Sequence, residues 1–246
     1  NHMKTAHLLL TAAFCLNGFT SCMAGSSKKI TETRPIQPYT SIQMDGVASV
    51  QFTQGNNYSL RIEGDEELVK SLITQVEDET LIIDNEKIKW RKNRNNGNVT
   101  VFVTAPMLEK VSFDGVGSFK CPQRLVVEDF RIEKDGVGAM EINDLHCRDL
   151  EVEMDGVGSI DLHTECHDMD AQIDGVGGSK LTCKANHISI QKDGVGGAEI
   201  NVDCQMLEAD IDGVGGITFS GKAQQATFEK NGVGGFSTSK LKIGSK

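Results

Sequence analysis

From residue 111 onward, apolar and polar residues alternate in short runs that return to the same phase every 19 to 21 positions. Leu150 and Val152, Ile188 and Ile190, and Leu207 and Ala209 alternate with Glu, Asp, Ser or Gln. On the other side of a glycine-rich break, Ile160 and Leu162, Leu181 and Cys183, and Ile217 and Phe219 repeat the pattern. Period-two alternation predicts half-buried strands, and glycine between them predicts sharp corners, so each period holds two short strands. The corner is Asp-Gly-Val-Gly, beginning at Asp114, Asp135, Asp155, Asp174, Asp193 and Asp212 and recurring as Asn231-Gly-Val-Gly. Successive spacings are 21, 20, 19, 19, 19 and 19 residues, and an earlier relative, Asp45-Gly-Val-Ala, stands 69 residues before the first.

One such turn cannot bury its apolar side alone. Stacking turns about 4.8 Å apart pairs every strand with its copies and closes one continuous core. The pattern therefore predicts an all-β solenoid of parallel-stacked turns, about 19 residues per turn. A propeller blade needs four strands in about 40 residues, and a calcium-binding solenoid repeats every nine, so neither fits.

The tetrad residues suit a corner. Glycine permits positive φ or close backbone approach. Valine is expected to point inward as a β-branched ladder, and Asp to accept hydrogen bonds from the next backbone N–H groups. Aligned carboxylates about 5 Å apart repel by roughly 1 kcal/mol in water and by several times that at an effective dielectric near 20. Backbone amides, cations, or Lys134, Lys192 and Lys230, each directly before a tetrad, would offset this. Asn231 keeps the acceptor oxygen without the charge, which favours turn-making over metal binding. Asp114, Asp135, Asp155, Asp174, Asp193, Asp212 and Asn231 are accordingly read as structural repeat corners, with no metal, cofactor or catalytic residue assigned.

Cys166 and Cys204 fall where Ala185 and Ala223 stand in neighbouring turns, a place for a small inward residue. Cys147 and Cys166 sit on adjacent turns, which leaves a disulfide between them open. His146, His163, His167 and His187 read as isolated, solvent-facing side chains.

The first third is irregular. Leu68, Leu72 and Val76, with Val69 and Ile73, form one helical stripe within Asp65 to Asp78, which predicts a short helix capping the open end of the solenoid. Leu81-Ile-Ile-Asp and Val99-Thr-Val-Phe-Val flank a basic run and predict a projecting hairpin. That run holds Lys87, Lys89, Trp90, Arg91, Lys92 and Arg94, five cations and the only Trp of the chain, and is the candidate ligand-binding surface.

Composition agrees with a thin core: of 246 residues 38% are hydrophobic but only 5% aromatic. A net charge of −10 argues against nucleic acid as a general partner, since phosphate binding needs clustered Lys and Arg. Asn1-His2 read as a vector scar, and the apolar run Leu8 to Phe19 as the core of a signal peptide, too short to span a bilayer. Phe19-Thr-Ser-Cys22 reads as a relaxed lipoprotein cleavage box, which would lipidate Cys22; cleavage after Ala24 is the competing reading. The expected organisation is scar and signal peptide over 1–21, a flexible tether over 22–35, and one β-helix domain over 36–246, irregular over 36–110 and regular over 111–246.

Tyr39-x-x-Ile42-x-x-x-Gly46-x-x-x-Val50-x-x-x-Gln54-Gly55, the step Thr104-Ala-Pro-Met-Leu108 and the tetrads after it resemble, in that order, the head GIN domain family of auto-transporter adhesins. The resemblance covers about residues 36 to 243 and implies a single-stranded right-handed parallel β-helix in an exported envelope lipoprotein, outer-membrane-anchored and facing either the periplasm or the outside. The expected function is a non-catalytic binding or adhesion module recognising glycan or another anionic surface, with the membrane as partner through the lipid on Cys22. The alternatives are a pectinase-like polysaccharide-degrading enzyme, which would need carboxylates converging in one groove, and a purely structural envelope protein.

Overall fold

A computed structural model describes residues 28–85 and 98–244. Apart from one six-residue helix, Glu66–Ser71, the described chain is all-β, a single hydrogen-bonded sheet wound into a solenoid of about seven turns. Each turn has a strand leading into the tetrad corner and one leading out. The lead-in strands Ser41–Met44, Lys110–Phe113, Asp129–Lys134, Asp149–Met154 and Asp168–Ile173 stack in parallel. The lead-out strands Val47–Gln54, Val116–Cys121, Val137–His146 and Val157–Glu165 do the same. From there on the two fuse around the back of the turn, so that Val176–Lys192, Ala198–Ile211 and Ile217–Lys230 are continuous strands.

The register is the sequence repeat. Val157 pairs with Val176, and Val176, Val195, Val214 and Val233 bridge in succession. Where the spacing is longer than 19, the extra residues are taken up at the back of the turn, one in the register shift between Ile142 and Leu145 and a further one between Cys121 and Leu125. Inward residues form columns such as Phe130–Leu150–Met169–Ile188–Leu207, all buried. At the far end the rings of Phe219, Phe228 and Phe236 meet at centroid distances of 5.1 to 5.8 Å and close the core.

The near end departs from the expected plan. Thr80–Asn85 stacks on Ser41–Met44 and Val99–Ala105 stacks on Val47–Gln54, so this later pair of strands lies outside the earlier one. These two strands belong to different stacks and do not form the expected hairpin with each other. Beyond them the sheet turns antiparallel: Ser59–Asp65 pairs with Val99–Ala105, Lys29–Arg34 with Ser59–Asp65, and Leu72–Glu77 with Thr80–Asn85. The helical stripe expected through Val76 therefore breaks at Ser71, and Leu72–Glu77 is strand. The physical reason is the open edge of Thr80–Asn85, whose N–H and C=O groups a strand can pair and a helix cannot. Ile73, Thr74 and Val76 are β-branched and suit it. The two strands join through Asp78 and Glu79, both at positive φ (45° and 59°), as a tight two-residue hairpin turn requires. Arg34 then ties the helix end to the first strand, donating to the carbonyls of Val69 and Leu72.

Candidate functional site

The tetrad corner is held by backbone bonds between turns. The amides of Asp135 and Gly136 both donate to the Phe113 carbonyl, and the Val137 amide donates to the Gly115 carbonyl. The same pattern recurs at Asp155, Asp174, Asp193, Asp212 and Asn231. Turns approach so closely here that a Cβ on Gly136 would overlap the Gly115 carbonyl, and one on Gly138, at φ 142°, the Gly117 carbonyl.

That close approach reverses the expected direction of the valines. In-and-out alternation continues through the corner: Lys134 in, Asp135 out, Gly136 in, Val137 out. The glycine must take the inward step because no side chain fits there, so the valine takes the outward one. Val47, Val116, Val137, Val157, Val176, Val195 and Val214 are 44–50% exposed and Val233 72%, making an apolar stripe along the rod beside the exposed corner Asp column.

Two of the three lysines before the tetrads lie beneath this corner, within the core column, while Lys230 at the last corner is exposed. Lys134 and Lys192 are buried. The Lys134 ammonium donates to the carbonyls of Gly136 and Val157 at 3.3 and 3.2 Å, and Lys192 donates to the Gly194 carbonyl. Burial pushes both ammonium groups below the usual lysine range, while the charge of Asp135 on Lys134, and of Asp174 and Asp193 on Lys192, pulls the other way. The carboxylates of Asp135, Asp174 and Asp193 are thus partly offset from inside the core.

A second surface lies on the lead-in face, an open groove of about 740 Å³ lined by Glu109, Asp129, Asp149, Glu151, Asp168 and Asp170. Arginines tie its acids together: Arg148 bonds Glu128, Asp129 and Asp149 at 2.8–2.9 Å, and Arg131 bonds Glu133, Glu151 and Glu153. Asp149, His167 and Asp168 bring donor atoms within 4.8 Å of one another. Their facing atoms are engaged, Asp149 by Arg148 and Asp168 by His167. The histidines are not isolated as expected: His146 contacts Asp144, His163 Asp161, His167 Asp168 and His187 Glu208, at 2.8 to 3.5 Å.

Carboxylates do converge in this groove, as a hydrolase would need, but hydrolysis also needs one carboxyl group held protonated. The acids whose ionisation the fold shifts lie outside this groove, and they are held towards the charged form. Lys120 holds Glu141 down, Arg124 holds Asp144 down and Lys184 holds Glu165 down. Burial raises Glu133, but Lys110 and Arg131 outweigh it.

The basic run Lys87, Lys89, Trp90, Arg91, Lys92 and Arg94 lies outside the described residues, as do Cys22 and the leader. The strands around the run are informative: Thr80–Asn85 is a lead-in strand and Val99–Ala105 a lead-out strand. In sequence, residues 86–97 therefore stand where other turns carry the tetrad. No membrane-crossing helix is present among the described residues. The five described cysteines are free thiols, including Cys147 and Cys166.

A family model described as "Putative auto-transporter adhesin, head GIN domain" matches residues 38–203. A crystal structure of a "putative adhesin" from Bacteroides fragilis is similar at 28% identity and a TM-score of 0.79, covering 86% of this chain and 97% of that one. Two structures from Parabacteroides distasonis share the fold. One, described as a "putative adhesin", has 14% identity and a TM-score of 0.66, covering 88% of this chain and 97% of its own. The other, described as a "putative lipid binding protein", has 20% identity and a TM-score of 0.59, covering 89% and 95%. No curated protein matches.

Proposed function

The chain belongs to the head GIN domain family of auto-transporter adhesins, and on that premise we propose that it is a non-catalytic adhesion module of the cell envelope. In this reading it is exported, anchored in the outer membrane by a lipid on Cys22, coiled right-handedly, and binds acidic polysaccharide or another anionic surface through Lys87, Lys89, Trp90, Arg91, Lys92 and Arg94. The family description and the neighbouring structures name adhesins and a lipid-binding protein rather than enzymes, which supports the non-catalytic part. The right-handed coil follows the strong preference of parallel crossover connections.

One observation carries the choice of surface. Along the regular turns seven cations are matched to carboxylates on the same or a neighbouring turn: Lys110 to Glu133, Lys120 to Glu141, Lys180 to Asp161, Lys184 to Glu165 and Lys222 to Asp203, with Arg131 and Arg148 each holding three acids. The exposed Lys29, Lys230, Lys240 and Lys242 lie towards the two ends of the described chain. A polyanion meeting these faces would have to displace an existing partner. The run from Lys87 to Arg94 concentrates five cations in eight residues with no acid among them, beside a tryptophan suited to stacking on a sugar ring.

Affinity electrophoresis of the chain from Lys28 onward, through gels holding neutral or acidic polysaccharides, tests this. Retardation by acidic polymers alone, lost in Lys89→Ala/Arg91→Ala/Lys92→Ala, is the expected result. Unchanged mobility across the panel would remove the polyanion reading and leave a protein partner or a spacer role.

A further inference from the structure

Three sulfurs meet at the back of the solenoid. Cys147 lies between the strands Val137–His146 and Asp149–Met154, and Cys166 between Val157–Glu165 and Asp168–Ile173. The Cys147 amide donates to the Glu165 carbonyl and the Cys166 amide to the Lys184 carbonyl, so the two cysteines occupy the same step of adjacent turns. Cys166 Sγ is 3.9 Å from Cys183 Sγ, and Cys147 stands at the same step one turn away. The buried Thr164 hydroxyl, on the residue that pairs with Cys183 and two positions before Cys166, has no hydrogen-bond partner among the described residues. Cys166 is therefore the sulfur on which the cluster converges.

Donors around one sulfur favour its thiolate, the form that attacks disulfides. The hydrogen bonds from Cys147 and then Cys183 shift the Cys166 thiol down, and the same contacts, with burial, shift those two up. Cys121 and Cys204 stand apart from this contact, and burial pushes each up to about 11. A shallow groove lined by Thr164 and Cys183, with His146 and His163 beside them, opens at this place.

Backbone placement selects the second thiol. Residues at one step of adjacent turns have Cα atoms about 4.8 Å apart, inside the disulfide range of about 4.4–6.8 Å. Cys183 pairs with Thr164, two residues before Cys166, and such diagonal neighbours lie about 7–8 Å apart. Cys147 and Cys166 also sit outside the strand ladders, where the chain can adjust, whereas Cys183 is held within Val176–Lys192.

We propose that Cys166 is a thiol-modification site that attacks a small-molecule or protein disulfide, and that Cys147 resolves the adduct into a Cys147–Cys166 bond joining two turns. In the first step the Cys166 thiolate bonds one sulfur of the donor and the other leaves as a thiolate. In the second, Cys147 gives up its proton and attacks Cys166 sulfur, releasing the remaining donor half as a thiol. Two protein thiols are oxidised, and one donor disulfide is reduced to two thiols. This chemistry is independent of what the outer faces bind.

The test exposes the full chain to glutathione disulfide, followed by thiol counting and peptide mapping by mass spectrometry. Of the five thiols from Cys121 to Cys204, wild type loses two and yields a linked Cys147–Cys166 peptide pair. Cys147→Ala stops as a stable glutathione adduct on Cys166, and Cys166→Ala loses neither Cys147 nor Cys183 on the same timescale. Both variants keep the fold, read by circular dichroism, because Ala185 and Ala223 occupy the same step in later turns. A Cys166–Cys183 link, first modification at Cys121 or Cys204, or a bound thiophilic metal that leaves all three thiols unreactive would each overturn the assignment.

Discussion

The buried ammonium of Lys134 donates to the carbonyl of Val157 at 3.2 Å, joining the inside of one corner to the exposed valine of the next turn. Burial lowers the affinity of this group for its proton, with Asp135 partly restoring it. The unfolded chain titrates near the ordinary lysine value of about 10.4. Between the lowered folded value and about 10.4, the unfolded state holds more protons, so stability rises with pH across that window. The cost of the buried charge is fully present below the folded value. Urea unfolding of wild type and Lys134→Met between pH 7 and 10 should show a smaller rise in the variant. Lys134→Met should be neutral or stabilising at pH 7, since Met154 fills the paired position one turn on. Lys134→Ala should fall about 2–5 kcal/mol below Lys134→Met by leaving a cavity. Identical pH dependence in wild type and Lys134→Met would show that the ammonium stays hydrated.

Adjacent glycines should respond oppositely to alanine. Gly177 has φ 146° and a Cβ there would overlap the Gly158 carbonyl, whereas a Cβ on Gly178 meets nothing within 4 Å. Gly177→Ala should cost about 4 kcal/mol or more, because backbone must move in two turns. Gly178→Ala should be neutral or stabilise by about 0.4–1 kcal/mol through the unfolded state. Thermal unfolding of the two variants decides it, and equal losses would contradict the stacked corner.

The outward valines are expected to be dispensable for folding. Replacing Val157, Val176 and Val195 by Thr keeps the β-branch at half-exposed positions. Each change should stay within about 0.5 kcal/mol, while Ile190→Ala in the core should cost about 2–5 kcal/mol. A loss in the triple Thr variant comparable to Ile190→Ala would return the valines to the interior.

Arg148 gathers Glu128, Asp129 and Asp149 on the surface of the groove. Arg148→Ala should lower the melting temperature slightly in dilute buffer, and the difference should vanish near 1 M salt, where screening acts over about 3 Å. A deficit that persists at high salt would mean that the arginine acts through packing.

The repeat was legible because each turn carries the same requirement for glycine against the next turn's backbone, and its period appears directly as the 19-residue register between Val176 and Val195. The core was legible wherever alternation was clean, as at Ile188 and Ile190. The corner was not, because alternation passes through glycines that carry no hydrophobic signal, and valine is acceptable on either side of a sheet. The adjacency of Cys147 and Cys166 was legible from the repeat, but the contact of Cys183 with Cys166 crosses both a turn and two steps, and only the register brings them together.

The sequence alone therefore determined the solenoid, its period, its alternating core and the family, since all of these rest on local chemistry repeated many times. The tertiary structure decided what happens once: the strand Leu72–Glu77 in place of helix, the outward valine stripe, the lysines beneath the corners and the meeting of three sulfurs. Each depends on which backbone edge is left unpaired or how closely two turns approach, and neither quantity is a property of any single stretch of residues.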